Sequence, residues 1–428
     1  MLAENNVMIF DFVWAISEAV DLVAPVLNRH HKKVAYIAGN IALEMGIGGD
    51  ELQDIVIASM LHDIGAFSLQ ERLKTLNFDA SGPDLHKHSY YGYELLKNFG
   101  PLANAAILIK YHHVNYCGLR QNVPIGSYVL HLADRVSLLF DDNKEVLSQI
   151  PLIRERLMAK QKDFHQDAFA ALNRLLKSEY FCIEASSSLN NPSMFENIKF
   201  AEEIASLGML RDFAKMVSQL IDFRNRFTAS HSSGVAAVVK ELSELIGFSD
   251  TACKMMEIAG YLHDLGKLAI SNDILEKNGA LNETEYNNIR KHTYYTYIIL
   301  KRIRGLGHIA TWAAHHHERP DGNGYPFRVK GRDFSKESRI MAVADIFTAI
   351  TEDRPYRAGM NRRKVEGVLR HFTESGGADE GVVELAIKYF MQINEVRKSA
   401  QNKAQKDYDN FRSSIYKGPL FNLISEPA

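Results

Sequence analysis

The histidines of this sequence are its most evident chemical feature, because they number 17 and occur in clusters. In the second half of the chain, imidazole and carboxylate side chains recur at wide intervals. The set is His231, His263, Asp264, His292, His316, His317 and Asp345. Imidazoles and carboxylates without a thiolate suit Fe, Mn or Zn better than Mg or Ca. One ion seldom takes more than about six ligands, so this set predicts a site for two ions.

Two ions about 3.5–4 Å apart can share a water molecule and lower its pKa toward neutrality. The resulting bridging hydroxide is suited to in-line attack on phosphorus. The adjacent pair His263 and Asp264 favours this arrangement, since a carboxylate can bridge both ions while the imidazole binds one. Any one of these histidines, taken alone, would more often be an ordinary core or surface residue. The combination is what predicts metal chemistry.

The first half of the chain contains a second set of the same residue types. These are His30, His62, Asp63, His88, His112, His113 and Asp134. His30 and His62 are 32 positions apart, and His231 and His263 are separated by the same interval. The run MLHDIG in the first set corresponds to YLHDLG in the second. The chain therefore contains two copies of one domain, and the first set is a candidate second metal site.

The elements that must position these residues are predicted to be helices. Apolar residues in 34–45 and 235–246 recur at intervals of three and four, and Gly46 and Gly247 then favour helix ends. Clear strand patterns are absent, so we predict an all-α fold of two tandem helical bundles. The predicted divisions are a first domain at 1–145, a helical linker region at 146–205, a second domain at 206–395 opened by a long helix over 206–230, and a tail at 396–428.

Three motifs of the second copy resemble those of the HD-GYP family. The run HDLGK from His263 is similar to the HD-x-G-K signature of HD phosphohydrolases. The run HHERPDGNGYP from His316 to Pro326 is similar to the longer family signature, and Ala344 to Arg357 resembles its closing motif. Known members hydrolyse cyclic dinucleotides, mainly cyclic di-GMP to pGpG and in some cases GMP. The resemblance implies a metal-dependent phosphodiesterase of bacterial second-messenger turnover.

The resemblance also implies how the candidate ligands divide between two ions. One ion would be held by His231, His263, Asp264 and Asp345, and Asp264 would bridge to a second held by His292, His316 and His317. Some members bind a third metal through a Glu four residues before the first histidine. Here that position is Phe227, so two ions are expected. Iron or manganese is favoured, and zinc, nickel and cobalt also suit these donors.

Substrate contacts are implied on the same basis. Lys267 follows Asp264 by one helical turn, where its ammonium could neutralise the scissile phosphate or the leaving oxygen, which makes these two the expected catalytic residues. Arg354 is the expected phosphate-binding residue, with a structural salt bridge as the alternative. Gly324, Tyr325 and Pro326 are expected beside the substrate, and a turn that only shapes the loop is the alternative.

The first copy departs from the family on the substrate side. Ala66 stands where the second copy has Lys267, Asn143 stands for Arg354, and the Gly-Tyr-Pro loop is replaced by a shorter stretch. Loss of such preorganised charge commonly costs about 10²–10³ in rate. We predict that the first copy binds metal but is weakly active or inactive, with a regulatory, sensory or dimerising role. A metal-free structural relic is the alternative.

Composition restricts the partners. The formal net charge is −2 and the pI about 6.8, so there is no basic field for a long nucleic acid. The three cysteines lie far apart, and acidic residues interrupt the most apolar early stretch, which indicates a cytoplasmic protein without a membrane span. A cyclic dinucleotide is the expected ligand, and a homodimer or a signalling protein is a further expected partner.

Alternatives to cyclic di-GMP hydrolysis remain at this point. The preferred substrate could be 3',3'-cyclic GMP-AMP, since base choice depends on contacts that the motifs do not locate. A scaffold that binds metal and nucleotide without turnover is disfavoured by the retained Lys267 and Arg354. A general HD nucleotide phosphohydrolase is disfavoured by the Gly-Tyr-Pro signature.

Overall fold

A computed structural model describes residues 7–22, 29–67, 71, 78, 83–116, 122–186, 205–223, 229–277, 279–353 and 357–417. Over these residues the chain is helical and contains no β-strand, which confirms the predicted all-α fold. The described residues fall into two compact units: 12–186 with 414–417, and 7–11 with 205–413. Among the described helices, none combines the length and apolar character needed to cross a membrane.

The first half contains a central helix surrounded by its neighbours. The helices are α1 (Ile9–Asp21), α2 (His30–Glu44), α3 (Gly49–Leu61), α4 (Pro83–Leu96), α5 (Ala103–Tyr111), α6 (Ile125–Ser137), α7 (Val146–Ala159), α8 (Gln166–Leu175) and α9 (Glu179–Ser186). Helix α2 packs against α3 and α6, and α8 and α9 also contact it. Part of the segment predicted as a linker region therefore packs on the central helix of this half.

The second half repeats this arrangement and adds helices after it. They are α10 (Leu207–Asp222), α11 (His231–Ile246), α12 (Asp250–Leu262), α13 (Asn272–Leu275), α14 (Glu283–Lys301), α15 (Gly307–Ala314), α16 (Lys336–Thr351), α17 (Arg362–Glu374), α18 (Glu380–Lys388) and α19 (Phe390–Lys417). Helix α11 packs against α12 and α16, as α2 packs against α3 and α6. The predicted boundary between residues 395 and 396 falls inside α19.

Helix ends follow local sequence signals. Gly247 adopts φ 87° after α11, and Gly46 adopts φ 80° after α2, which confirms both predicted glycine stops. The predicted helix over 206–230 was wrong at its end, because α10 stops at Asp222. The Asp222 carboxylate accepts hydrogen bonds from the Ser232 backbone N–H and hydroxyl at the start of α11.

A glycine after each His-Asp pair permits a close approach between elements. A Cβ on Gly266 would lie 1.9 Å from the carbonyl oxygen of His292, and one on Gly65 would lie 2.2 Å from that of His88. No other residue fits there without a shift of the backbone. This approach brings the segment after α12 against α14, and the segment after α3 against α4, so that histidines far apart in sequence meet.

Candidate metal centres

Five elements of the second half bring the candidate ligands together. His231 is the first residue of α11, and His263 and Asp264 follow α12 directly. The remaining four come from α14, the 3-10 turn after α15, and α16: His292, His316, His317 and Asp345. All seven are buried except His317, which is partly exposed.

Asp264 lies at the centre of this group. Its Oδ2 atom is 3.2 Å from His263 Nε2, and its Oδ1 atom is 3.4 Å from His292 Nε2 and 3.9 Å from His316 Nε2. One carboxylate therefore faces imidazoles assigned to both ions, which is the geometry that a bridging ligand requires.

Asp345 faces the remaining two imidazoles. Its Oδ1 is 3.3 Å from His231 Nε2, and its Oδ2 is 3.8 Å from His317 Nδ1. Together with Asp264 it supplies two negative charges to a buried group of histidines, which favours cations in the space between them.

Hydrogen bonds orient three of the imidazoles. Each donates its Nδ1 proton to the backbone carbonyl oxygen three residues earlier, at 2.8 Å for His263, 2.6 Å for His292 and 2.7 Å for His316. The Nε2 atom of a neutral imidazole held in this way carries its lone pair. These lone pairs face Asp264 and one another, as metal ligands would.

The electrostatics also fit a metal. Burial lowers the pKa of His292 to about 3, and burial and neighbouring histidines hold the pKa of His316 well below its usual value. Burial opposes ionisation of Asp264, but His263 and Lys267 outweigh it and keep its pKa well below the ordinary range. His292 and His316 are thus neutral imidazoles beside an ionised carboxylate, the protonation states that metal binding requires.

A contact from the end of the chain supports His231. Its Nδ1 is 3.1 Å from Glu352 Oε2, and the same oxygen accepts from Gln401 Nε2 on α19 at 3.0 Å. Burial opposes protonation of His231, but Glu352 and Asp345 outweigh it and raise its pKa, so this position favours a cation. The sequence interpretation missed Glu352 and Gln401, although Glu352 lies in the closing motif.

Lys267 lies at the partly exposed edge of the cluster. Its Nζ atom is 2.5 Å from Asp264 Oδ2. Burial opposes its charge, but Asp264 outweighs burial and raises the pKa of the lysine, which therefore stays charged. A cation is thus fixed beside the central carboxylate.

The Gly-Tyr-Pro loop forms one wall of the site. The ring of Tyr325 lies 4.9 Å from that of His317, and the Arg290 guanidinium lies 4.8 Å from the centre of the Tyr325 ring. A Cβ on Gly324 would lie 2.4 Å from the Cα of Glu318, so a glycine is required there. Sequence reasoning missed Arg290, which adds a cation near the site.

Glu318 fixes the far end of this loop. Its carboxylate accepts backbone N–H groups of Phe327, Arg328 and Val329 at 2.7, 3.1 and 3.1 Å. His315, which precedes the ligand pair, is hydrogen-bonded through Nδ1 to Ser338 Oγ at 3.1 Å. Phe227 and Arg354 lie outside the described residues.

The first half forms a corresponding buried cluster. One group of donors within 4.8 Å of one another consists of Asp63, His88, His112 and His113, and another consists of His30, His62 and Asp134. His62 and His112 donate their Nδ1 protons to carbonyl oxygens three residues earlier, as their counterparts do. Ala66 is fully buried and Asn143 is exposed, so neither brings a cation to this cluster.

Comparisons with known proteins agree with these two clusters. A profile of the HD domain matches residues 215–370, and a second HD-domain profile matches 28–139. The chain is 31% identical over 416 residues to the 3'3'-cGAMP-specific phosphodiesterase 1 of Vibrio cholerae. This match covers 92% of this chain and 94% of the relative. It is 34% identical over 165 residues to a cyclic di-GMP phosphodiesterase of Pseudomonas aeruginosa, covering 38% of this chain and 39% of the relative.

One solved structure has a similar fold. It is a crystal structure described as a cyclic GMP-AMP specific phosphodiesterase of V. cholerae, with a TM-score of 0.60 and 20% sequence identity. The match covers 92% of this chain and 98% of that one. At this identity the likeness concerns the fold of the two halves.

Proposed function

The chain belongs to the HD-GYP family of cyclic-dinucleotide phosphodiesterases, and we propose that its second half hydrolyses 3'3'-cyclic GMP-AMP at the site around Asp264. The observation that supports this location is the convergence of seven candidate ligands beside a fixed lysine cation. The choice of substrate rests on the relative specific for it, whose likeness extends over both halves of the chain. Cyclic di-GMP is the second candidate, because a relative named for hydrolysing it is 34% identical over 165 residues.

The donor set supports two divalent transition-metal ions as cofactors. His231, His263, Asp264 and Asp345 would hold one ion, and His292, His316 and His317 would hold the other together with Asp264. Iron or manganese is the preferred pair, since imidazole and carboxylate without thiolate suit these metals. Bound here, such ions would activate water for attack on phosphorus and withdraw charge from the phosphoryl oxygens.

The side chains of this half would then position and neutralise the substrate. Lys267 holds a charge beside Asp264, where it would stabilise the negative charge that develops on the phosphoryl or leaving oxygen. Arg290 and the Tyr325 ring line the approach to His317, so a phosphate and a base could be held there by charge and stacking. Arg354 is retained as a proposed phosphate-binding residue.

A direct comparison of substrates tests the proposal. Full-length protein is purified anaerobically, loaded with iron or manganese, and assayed on 3'3'-cyclic GMP-AMP, cyclic di-GMP and a mononucleotide. We expect fastest turnover of 3'3'-cyclic GMP-AMP and loss of turnover in Asp264→Ala. A Glu395→Gln variant, which changes an exposed carboxylate on α19, serves as the control.

Each other result has a defined meaning. Faster cleavage of cyclic di-GMP would overturn the proposed substrate, and faster cleavage of the mononucleotide would overturn the proposed reaction. Unchanged turnover in Asp264→Ala would place the chemistry elsewhere. A homodimer, a signalling partner, a cytoplasmic location and the four-part domain division stay predictions of the sequence.

A further inference from the structure

The first half contains a buried histidine that has no counterpart in the second. His31 is 1% exposed and follows His30 at the start of α2. Its Nδ1 is hydrogen-bonded to the Asp21 carboxylate, while its Nε2 is buried without a hydrogen-bond partner. The corresponding residue of the second half is Ser232, whose hydroxyl donates to Asp222 at 3.0 Å. Both halves therefore have the carboxylate, but only the first half has a histidine bonded to it.

The ring of His31 lies against the cluster. His31, His62 and Asp63 each offer a donor atom within 4.8 Å of the others, and the rings of His31 and His62 lie 5.0 Å apart. A carboxylate that holds Nδ1 and leaves Nε2 for an ion is the usual support of a histidine ligand. His30, His62 and Asp134 form a further donor group that shares His62.

A second difference affects the other side of the cluster. Arg135 is buried, and its Nη2 atom lies 3.0 Å from His113 Nδ1. Because a guanidinium only donates hydrogen bonds, His113 accepts at Nδ1 and a neutral ring must carry its proton on Nε2. That nitrogen then has no lone pair for an ion. The second half has Ile346 at this position, next to Asp345.

The positive charge of Arg135 also disfavours a metal ion on this side of the cluster. Arg135 Nε also lies 3.8 Å from Asp134 Oδ2, so the guanidinium is held within the cluster. A fixed positive charge beside His113 disfavours a divalent ion at that histidine. The site near His31, in contrast, has the same carboxylates as the second half and one additional imidazole.

We propose that the first half holds a single divalent metal ion, with His31 as a ligand beside His30, His62, Asp63 and Asp134, and that Arg135 takes the place of a second ion. All five groups are buried. Sites closed by protein ligands are typical of structural ions, whereas catalytic sites keep a position for water or substrate. The ion would stabilise the helices that carry its ligands. The stability of this half would therefore depend on the availability of the metal.

Metal counting in the full chain tests the proposal. The background is Asp264→Ala with His316→Ala, which removes ligands of both ions from the second half. After anaerobic purification with manganese, we expect about one ion per chain by mass spectrometry. Adding His31→Ser should lower the metal content by about one ion. His165→Ser is the control and should not change it, because the His165 ring stacks on Tyr128 outside the cluster. Adding Arg135→Ile should raise the content by about one ion.

The two substitutions copy residues of the second half, so each restores an arrangement that the fold already contains. His31→Ser can keep a hydrogen bond to Asp21, as Ser232 does to Asp222. If His31→Ser failed to fold, Arg135→Ile would still decide, because a gain of one ion in a chain with the circular dichroism of the background reports the position of the guanidinium. Unchanged content in folded His31→Ser, a background chain without metal, or no gain in Arg135→Ile would each overturn the proposal.

Discussion

Glu352→Gln should weaken metal binding at the site in the second half while leaving every proposed ligand in place. Glu352 is 7% exposed and its Oε2 lies 3.1 Å from His231 Nδ1. At an effective dielectric constant of 20, two charges about 4 Å apart interact by about 4 kcal/mol. The amide oxygen of Gln still accepts the Nδ1 proton, so only part of this interaction is lost. Removal of such supporting groups commonly costs about 10–100-fold in metal affinity or activity.

The assay is a competition between the protein and a chelator for manganese, with kcat measured at saturating metal. We expect a dissociation constant raised about 10–100-fold, equivalent to about 1.4–2.7 kcal/mol, with kcat much less affected. Glu395→Gln makes the same chemical change at an exposed site on α19 and should match the wild type. If Glu352→Gln bound manganese as tightly as the wild type, the argument that Glu352 sets the affinity through His231 would be refuted.

Three further predictions address other contacts. Lys267→Met should lower kcat about 10²–10³-fold without reducing the metal content, because Lys267 is not itself a ligand and the substitution leaves Asp264 in place; an unaltered kcat would contradict this role. Gln401→Ala removes a hydrogen bond to the Glu352 carboxylate and should weaken manganese binding less than Glu352→Gln, whereas Gln392→Ala on the same helix should have no effect. His315 has its pKa lowered by burial from 6.5 to about 4, so its contribution to stability is present above pH 6.5 and is lost as the pH falls toward 4. Between pH 7 and 5 the free energy of unfolding should therefore decrease about 2 kcal/mol more in the wild type than in His315→Gln, as measured by urea denaturation.

The helical class and the two-fold repeat could be predicted because they depend on local periodicity and on intervals between histidines. The Gly46 and Gly247 helix ends are of the same kind, since a glycine after an apolar run is a local signal. The end of α10 could not be predicted in this way. It depends on Asp222 reaching Ser232, a contact that is visible only when α10 and α11 lie side by side.

The candidate ligands could be predicted from the sequence for a related reason, because the two copies have the same residue types at the same spacing. Their supporting residues were not. Glu352 lies 121 positions from His231, and Gln401 lies another 49 beyond Glu352, so no motif joins the three. His31 and Arg135 were missed because comparison of the copies directs attention to what they share, and these two residues differ.

The contact between Gln401 and Glu352 has a practical consequence for anyone who separates the two halves. The HD-domain match ends at residue 370, and a fragment cut there would omit α18, α19 and the side chain that steadies Glu352. Gly234 on α11 leaves room for Gln401, since a Cβ there would lie 2.8 Å from its Nε2 atom. A recombinant fragment of the second half should therefore extend to about residue 413, where the compact unit ends. A low metal content in a shorter fragment would reflect the choice of boundary rather than a property of the enzyme.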